Sequence, residues 1–420
     1  MQSGWRLYAV MIGLAALTGT VVALALSGGP RLPSESPRGT FVVATSTATP
    51  SPTRSPATTV SGSPAPSPTA TPTPSATPAD PLARIRPLAF SWRPTETTAV
   101  VEKLTIGGTR LIAVPLGSGA AVPLVDLPTG TQWHLRLDGS AIAMTVEVGS
   151  DVISRTRIAA LNLQTGALGW VTPDEPFVTQ RSPRWSNDGT VVYYTRQSFD
   201  RQTDLGIYRV RVDGTNLTQL RAPSNDGAIE VRGLTPDGLG LVLDRSVLSG
   251  LVDILDLNTR TIRSYQAPRT LTGASPSAFV ESWRPQRPRA LVGFSGGAAA
   301  LQLYVWDDLA APVDRSPIVR RFYGGADWDP AGTRVVAAMP ADPNSPSELV
   351  TMDASGQNQT TLSGTSGASS PYWLRAGIVY LYANSLSRPT EVRLAQPTGT
   401  LAPRILFVDT DIIRLTYVTP

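Results

Sequence analysis

The chain has no cysteine among its 420 residues. This absence excludes disulfide bonds, cysteine-ligated zinc, iron–sulfur clusters and a thiol nucleophile. It also excludes the lipid-modified cysteine of a bacterial lipoprotein. Histidine is almost as scarce, because His134 is the only one. A histidine-based metal site or catalytic triad therefore has no partners in this sequence, and we predict no metal and no cofactor.

Charged side chains are also few, at 16% of the residues against about a quarter in typical domains. The net charge of +4 comes almost entirely from arginine, because Lys103 is the only lysine. The arginines are scattered, with short clusters only at residues 284–289 and 315–321. A nucleic-acid surface requires a focused basic stripe. We therefore predict no nucleic-acid partner.

The N-terminus contains one long apolar run, LYAVMIGLAALTGTVVALAL, over residues 7–26. As a helix it would extend about 30 Å, the thickness of the hydrocarbon core of a bilayer. Arg6 precedes the run, and Trp5 and Tyr8 suit the membrane interface. The sequence predicts a transmembrane anchor over residues 1–27 with the remainder outside the cell membrane. A signal peptide cleaved near Ala23–Ala25 is the alternative, although such apolar regions usually run about 7–15 residues; both interpretations export the chain.

Residues 28–81 form a low-complexity segment with stretches such as SPAPSPTATPTPSATPADP. Repeated proline removes backbone donors and favours extended geometry, and too few side chains are apolar to offset the entropy of ordering. The sequence predicts a disordered Pro/Ser/Thr-rich stalk that holds the following domain away from the membrane.

Residues 82–420 contain a repeat marked by tryptophan. The markers are Trp92, Trp133, Trp185, Trp283, Trp328 and Trp373, with Leu234 in the one missing place. Their spacing of 41 to 52 residues is typical of four-stranded propeller blades.

Each unit repeats one order of strands and turns. A short strand ends near the tryptophan, a polar turn such as Asp188-Gly189 follows, and an apolar strand such as Val191–Thr195 or Ile378–Ala383 comes next. Strands apolar on both faces must lie between two other sheets, and a ring of sheets provides this for every strand. The pattern predicts an all-β propeller of about seven four-stranded blades, in which the tryptophans are wedges between neighbouring blades.

The C-terminal stretch contains two strand-like runs, Ile405–Val408 and Ile412–Val418. We predict that one completes the last blade and that the other closes the ring by pairing near Leu88–Trp92. Deletion of residues 409–420 should then unfold the domain.

Two units resemble the repeat of TolB-type propellers. They read SPRWSNDGTVVYYTR and IYRVRVDGTNLTQL over residues 182–220, and DWDPAGTRVVAAM and LVTMDASGQNQTTL over residues 327–362. The resemblance implies the propeller fold, and the fold hosts many activities. The sequence departs from the periplasmic Tol-Pal protein, because it has seven units instead of six, a retained anchor and no recognisable N-terminal α/β domain. The Tol-Pal role is therefore not implied.

The motifs that could carry catalysis are isolated. The stretch Gly293-Phe294-Ser295-Gly296-Gly297 matches the nucleophile elbow of hydrolases, but no histidine follows it and its context is a hairpin. The carboxylate pairs are Asp307 with Asp308, Asp327 with Asp329, and Asp409 with Asp411, each of which suits a turn. His134 is interpreted as a packed or partly exposed strand residue. We predict no catalytic, cofactor-binding or metal-binding residue.

Two functions remain. The first is a non-catalytic extracytoplasmic binding or scaffold module that recognises a protein, peptide or glycan of the cell envelope through its blade loops or central channel. The second is a propeller-type glycoside hydrolase or lyase. Channel carboxylates with raised pKa would favour the enzyme, and a mixed polar and aromatic rim would favour the binding module.

Overall fold

The structure is a computed structural model that describes residues 80–117, 119–150, 153–200, 203–224, 229–245, 251–266, 277–283, 290–295, 301–306, 317–322, 325–342, 345–384 and 389–419. The predicted anchor and nearly all of the predicted stalk lie outside these residues, and so do Asp307 and Asp308. Within the described residues, no helix has the length and apolar character needed to cross a membrane.

The described chain begins with one short 3-10 helix, Pro81–Arg84. The carboxylate of Asp80 accepts a hydrogen bond from the backbone N–H of Leu82 at 3.0 Å and so caps the helix. The other regular elements of the described chain are strands, β1 to β28, and they form seven antiparallel sheets.

Six of the sheets follow one another along the chain, each with its inner strand first. The first three, blades 2 to 4, are built from β5 (Trp133–Leu135), β6 (Ala141–Ser150), β7 (Ile153–Asn162) and β8 (Leu168–Trp170); β9 (Val178–Trp185), β10 (Val191–Ser198), β11 (Asp204–Arg211) and β12 (Thr218–Arg221); and β13 (Ile229–Leu234), β14 (Gly240–Arg245), β15 (Leu251–Asp256) and β16 (Ile262–Gln266). The next three, blades 5 to 7, are built from β17 (Ser277–Trp283), β18 (Ala290–Ser295) and β19 (Gln302–Trp306); β20 (Ala326–Trp328), β21 (Arg334–Pro340), β22 (Ser347–Asp353) and β23 (Thr360–Thr361); and β24 (Ala368–Leu374), β25 (Gly377–Tyr382), β26 (Glu391–Ala395) and β27 (Arg404–Val408). Blade 5 has three strands within the described residues, and Val319 forms an isolated bridge with Leu303 of β19.

The remaining sheet, blade 1, joins both ends of the domain. Its strands are β28 (Ile412–Val418), β2 (Thr98–Thr105), β3 (Gly108–Pro115) and β4 (Val122–Pro128), with β1 (Arg86–Pro87) on the outer edge. The last strand of the chain is therefore the innermost strand of the first blade.

Seven apolar clusters connect each blade to the next. Leu111 of blade 1 packs with Ile142 of blade 2, for example, and Val379 of blade 7 packs with Ile112 of blade 1. The other five clusters join the blades between them in order. The fold is a seven-bladed β-propeller. The second strands lie between two neighbouring sheets, as predicted, and the five residues Gly377–Leu381 of β25 are all buried.

The ring closes by a different pairing from the predicted one. Strand β27 completes blade 7 as expected, but β28 pairs with β2, from Thr98 opposite Val418 to Lys103 opposite Ile412. Residues 88–92 form no strand; the backbone N–H of Leu88 donates to Leu124 O and that of Trp92 donates to Leu163 O. Their hydrogen-bonding groups face blades 1 and 2, so they are not available to pair with the closing strand. The ammonium of Lys103 on β2 lies 2.6 Å from the carboxylate of Asp409, which directly follows β27. This ion pair links the two ends of the ring.

The register of the inner strands corrects two of the seven repeat markers. Five markers hold equivalent positions, each opposite the first or second residue of its second strand: Trp185, Trp283, Trp328, Trp373 and Leu234. In blade 2 this position is Leu135, which pairs with Ile142, because Trp133 lies two residues earlier. In blade 1 it is Tyr417, which pairs with Ala99, and Trp92 lies outside the strands. The corrected spacing is 44 to 50 residues.

The repeated large residue packs against the preceding blade. Trp185, Trp328 and Trp373 are at most 7% exposed, and each belongs to the cluster shared with the blade before it. The wedge interpretation of these tryptophans is confirmed.

Candidate binding site at the ring axis

The inner strands β28, β5, β9, β13, β17, β20 and β24 lie nearest the axis of the ring. Several of them contain a β-bulge, an extra residue that re-aims a side chain. In β13 the register passes over Arg232, and in β17 it passes over Glu281. Each bulge therefore leaves one charged residue outside the ladder pairing, a cationic one in β13 and an acidic one in β17.

In blades 2 to 7 the residue immediately before the repeated large residue occupies a place that we call the forward position. Its residues are His134, Arg184, Gly233, Ser282, Asp327 and Tyr372. Side chains alternate between the two faces of a strand. When the large residue packs against the preceding blade, the residue before it therefore faces the following blade.

Five of these six residues hydrogen-bond to the next inner strand. His134 Nδ1 accepts the backbone N–H of Trp185 at 3.2 Å, and Arg184 Nε donates to Arg232 O at 2.7 Å. Ser282 donates to Asp327, which in turn accepts the backbone N–H of Trp373 at 2.8 Å. Tyr372 completes the series by donating to Leu415 O at 3.0 Å on β28. Gly233 has no side chain, so blade 4 lacks this link to blade 5.

Four arginines occupy the inner strands of blades 1, 3 and 4, and we call them the cationic sector: Arg181, Arg184, Arg232 and Arg414. Arg181 pairs with Glu230 at 3.1 Å, and Arg232 pairs with Asp244. Arg184 and Arg414 form no ion pair with a described residue. Among the described residues, these two guanidinium groups therefore have no ion-paired carboxylate, although Glu102 lies opposite Arg414 in the β2–β28 register.

The environment of Arg184 disfavours its charge. Burial, followed by the nearby charges of Arg414 and Arg232, lowers the pKa of Arg184 to about 9, although Glu230 opposes the change. Its guanidinium donates only to backbone carbonyls, those of Arg232 and Pro183. Arg414 lies over the ring of Trp133, with Cζ 4.6 Å from the centroid, which is a cation–π contact.

His134 lies between the two arginines in strand order and stays neutral. Burial, with Arg184 and Arg414 as further causes, holds the pKa of His134 well below 6.5. Since Nδ1 accepts the N–H of Trp185, the single proton of the neutral ring must be on Nε2. The histidine is a packed strand residue, as predicted, and it also contributes one N–H donor.

Two acids with raised pKa lie on the opposite side of the ring, on β17 and β20, and we call them the acidic sector: Glu281 and Asp327. Burial raises the pKa of Glu281 to about 7, with a further increase from Asp327. Burial also raises the pKa of Asp327 to about 6, against the hydrogen bonds from Ser282, Trp373 and Trp328.

Two tyrosines follow the acidic sector around the ring. The rings of Tyr372 and Tyr417 meet edge to face with centroids 5.3 Å apart. Burial raises the pKa of each to about 12, and the charge of Asp327 contributes to both shifts. The axis thus combines cationic, acidic and aromatic side chains.

Of the carboxylate pairs singled out in the sequence, Asp307 with Asp308 lies outside the described residues, and the members of the other two pairs have separate roles. The sequence pattern predicted a turn position for Asp327, and this prediction is wrong. Asp327 is a strand residue that links three blades. Asp329 caps the following turn, where it accepts the backbone N–H groups of Thr333 and Arg334. Asp409 pairs with Lys103, and Asp411 adopts a left-handed conformation in the same turn.

Ser295 of the elbow-like motif ends strand β18, which pairs with β19. A nucleophile elbow requires a helix after the serine, and none follows in the described residues. Among the described side chains, no three histidine, aspartate or glutamate residues are grouped closely enough to bind a metal ion.

The axial residues Arg184, Arg414 and Glu281 were not identified from the sequence. One signal was visible, because Arg184, Asp327 and Tyr372 each directly precede a repeated tryptophan. Glu281 and Arg232 carry no such signal, since a bulge depends on strand pairing.

Comparison with known proteins supports the fold and no more. The sequence matches no protein-family model, and it matches no curated protein. Among solved structures it is similar to a prolyl endopeptidase, with 16% identity, a TM-score of 0.51 and 77% of this chain covered. A second similar structure is prolyl oligopeptidase B from Galerina marginata, with 11% identity, a TM-score of 0.51 and 76% coverage. The chain spans about half the length of these two enzymes, 50% and 51%.

TolB from Acinetobacter baumannii is also a structural neighbour. It has 14% identity, a TM-score of 0.40 and coverage of 63% of each chain.

Proposed function

We propose that this chain is a non-catalytic binding module that takes its ligand at the axial site. In this proposal residues 1–27 anchor it in the cell membrane, residues 28–81 form the stalk, and the propeller recognises a protein, peptide or glycan of the envelope on the extracytoplasmic side. The prediction that it has no nucleic-acid partner is retained.

The observation that carries the proposal is the fixed arrangement of the axial residues. Asp327 accepts three hydrogen bonds, from Ser282, Trp328 and Trp373, and Arg184 and Tyr372 are also held by backbone carbonyls. Groups that are already bound in this way are pre-organised to present charge, but they are poorly placed to exchange protons with a substrate.

Site-specific photo-crosslinking in the native cell tests the proposal. A photoreactive phenylalanine derivative replaces Tyr417, which is 37% exposed at the axis, or Leu401, which is 64% exposed between β26 and β27. We expect one partner to be captured from position 417 and not from position 401. Capture from position 401 alone would contradict an axial site.

The enzyme alternative has one observation in its favour, the raised pKa values of Glu281 and Asp327. A carboxylic acid that remains protonated near neutral pH can donate a proton to a leaving group. The test is release of new reducing ends from a panel of acidic and neutral polysaccharides. Glu281→Gln should then lower the rate by about 100-fold or more; a panel that the unmodified protein leaves intact would count against the enzyme.

A further inference from the structure

We propose that Arg184 and Arg414 together form a subsite for one carboxylate of a peptide ligand at the ring axis. This inference rests on the proposed binding function and specifies which group of the ligand the cationic sector recognises.

The first argument is the charge balance of the cationic sector. Three carboxylates lie on the inner and second strands of blades 1, 3 and 4. Glu230 and Asp244 are each paired with a different arginine, and Glu102, opposite Arg414 in the β2–β28 register, forms no ion pair with it. The guanidinium of Arg184 is half-buried and satisfied only by backbone carbonyls. Enclosing a cation without a carboxylate partner is unfavourable, so a ligand anion is the group that would offset it.

The second argument is the geometry around blade 2. Arg414 comes from β28 and Arg184 from β9, the inner strands on either side of β5, which carries His134. Both guanidinium charges act on that histidine. The Nε2–H of His134 donates to no described residue, so it is a third donor between two arginines.

The third argument concerns accessibility. Arg414 is exposed even though it lies on an innermost strand, and its guanidinium contacts the face of Trp133. A cation over an aromatic ring keeps its N–H groups free for hydrogen bonds in the plane of the guanidinium. Arginine binds carboxylates in this plane with paired N–H donors.

The remaining axial residues favour a peptide as the source of the carboxylate. Glu281 lies on the other side of the ring beside tyrosines, where a cation would lower its raised pKa. Peptides commonly carry both signs of charge on one short chain, whereas the charge of acidic glycans is predominantly negative. The opposed sectors therefore fit a polypeptide segment with a carboxylate and a basic group.

The test uses the full-length chain and three pools of random hexapeptides with a neutral fluorescent label at the N-terminus. The first pool has a free C-terminal carboxylate and no acidic side chain, the second is amidated with one central glutamate, and the third is amidated with glutamine instead. Fluorescence anisotropy at fixed ionic strength measures the dissociation constants. We expect at least one carboxylate pool to bind about tenfold more tightly than the third pool. One charge-assisted hydrogen bond lowers a dissociation constant by about tenfold or more. The better of the first two pools identifies the source of the carboxylate.

The arginine variants connect this preference to the subsite. Arg184→Gln and Arg414→Gln should each bring the three dissociation constants to within about twofold of one another. Arg414→Gln keeps the test valid if Arg184→Gln fails to fold, because the side chain of Arg414 is exposed. The matched control is Arg211→Gln on β11, whose side chain is 52% exposed and whose nearest carboxylate, Asp213, is 3.9 Å away; it should retain the preference.

The outcomes separate the subsite from the function. Equal binding of all three pools by the unmodified protein would overturn the subsite and leave a peptide-binding function standing. A preference that survives Arg184→Gln and Arg414→Gln would also overturn it. Binding of an acidic trisaccharide but of no peptide pool would overturn the peptide as ligand and, with it, this inference.

Discussion

At the scale of single residues, Asp327 connects blades 5, 6 and 7 through one carboxylate. Replacement by alanine removes the acceptor for the buried backbone N–H groups of Trp328 and Trp373. Each unsatisfied buried donor costs about 1–3 kcal/mol, so we expect Asp327→Ala to lower the free energy of unfolding by about 2–4 kcal/mol. Urea unfolding followed by tryptophan fluorescence measures the change.

Asp213→Ala is the control for this prediction. Asp213 accepts the backbone N–H of Thr215 in an exposed hairpin turn. Its loss should lower the free energy of unfolding much less than Asp327→Ala does, because water can replace the exposed carboxylate. Equal losses for the two variants would show that the link between blades contributes little.

Glu281 predicts a pH dependence of stability. Burial raises its pKa from 4.5 to about 7 in the folded protein, so the folded state binds the proton more tightly than the unfolded state does. The stabilisation by this proton is complete below the unfolded pKa and is lost as the pH rises from about 4.5 to about 7. We therefore expect the unmodified protein to lose more stability between about pH 5 and pH 8 than Glu281→Gln does.

Thermal unfolding at the two pH values measures this difference. Glu147→Gln is the control, because the side chain of Glu147 is 56% exposed. It should follow the pH dependence of the unmodified protein. If Glu281→Gln also follows it, the glutamate does not carry the effect.

Single residues were the part of the site least accessible from the sequence. Turn aspartates such as Asp188 in Asp-Gly and Asp353 in Asp-Ala-Ser-Gly behave as these turn patterns predict, since a turn depends only on near neighbours. Asp327 was assigned to the same class, but its partners are in other blades. Only the pairing of strands distant in sequence distinguishes the two cases.

At the scale of strands, Gly233 interrupts the chain of forward links between blades 4 and 5. A Cβ added there would have no atom within 4 Å. Its backbone is not in the left-handed region, so an ordinary side chain meets no strain. We expect Gly233→Ser to raise the free energy of unfolding by about 0.5–1 kcal/mol, because glycine loses more entropy in a strand.

Gly206→Ser is the matched control in β11. The φ of Gly206 is +104°, and its Cβ would lie 2.4 Å from Arg221 O. This variant should be destabilised where Gly233→Ser is stabilised, in the same urea assay. Loss of stability in both would mean that β13 has no room at the forward position.

Strand periodicity predicted the elements well and their register less well. The alternation of apolar strands and polar turns in residues 182–220 matches β9 to β12, because each hairpin depends on local turn residues. The markers of blades 1 and 2 were assigned wrongly to Trp92 and Trp133. A tryptophan in the sequence indicates burial, but it does not indicate which strand position it occupies. The bulges in β13 and β17 add a residue that periodicity does not register.

At the scale of the whole molecule, closure depends on the pairing of β28 with β2. Val100 and Thr416 are opposite each other in this pair. Opposed residues of antiparallel strands have Cα atoms about 4.5–5.5 Å apart, within the range that a disulfide spans. Because the chain has no cysteine, Val100→Cys with Thr416→Cys should give one defined bond under oxidation.

We expect the oxidised double variant to unfold at higher urea than its reduced form, by about 2–4 kcal/mol. Non-reducing electrophoresis reports the bond itself. Val100→Cys with Leu415→Cys is the control, since Leu415 pairs with Val101 and has the opposite face. A bond that forms equally well in both variants would contradict the register of closure.

The sequence predicted that the C-terminus closes the ring, because two strand-like runs follow the last complete unit. It did not predict the partner strand, since that contact joins residues more than 300 positions apart. Residues 88–92 contain a tryptophan at a plausible spacing, and no local feature assigns their hydrogen bonds to Leu124 and Leu163. Long-range pairing is the information that local patterns lack.

The position of β28 also sets the order of events during synthesis. The second, third and outer strands of blade 1 are synthesised before the other blades, but the innermost strand of that blade follows more than 300 residues after β2. Until β28 has been synthesised, the inner edge of β2 therefore has no partner strand. The ring cannot close before all the other blades have been made.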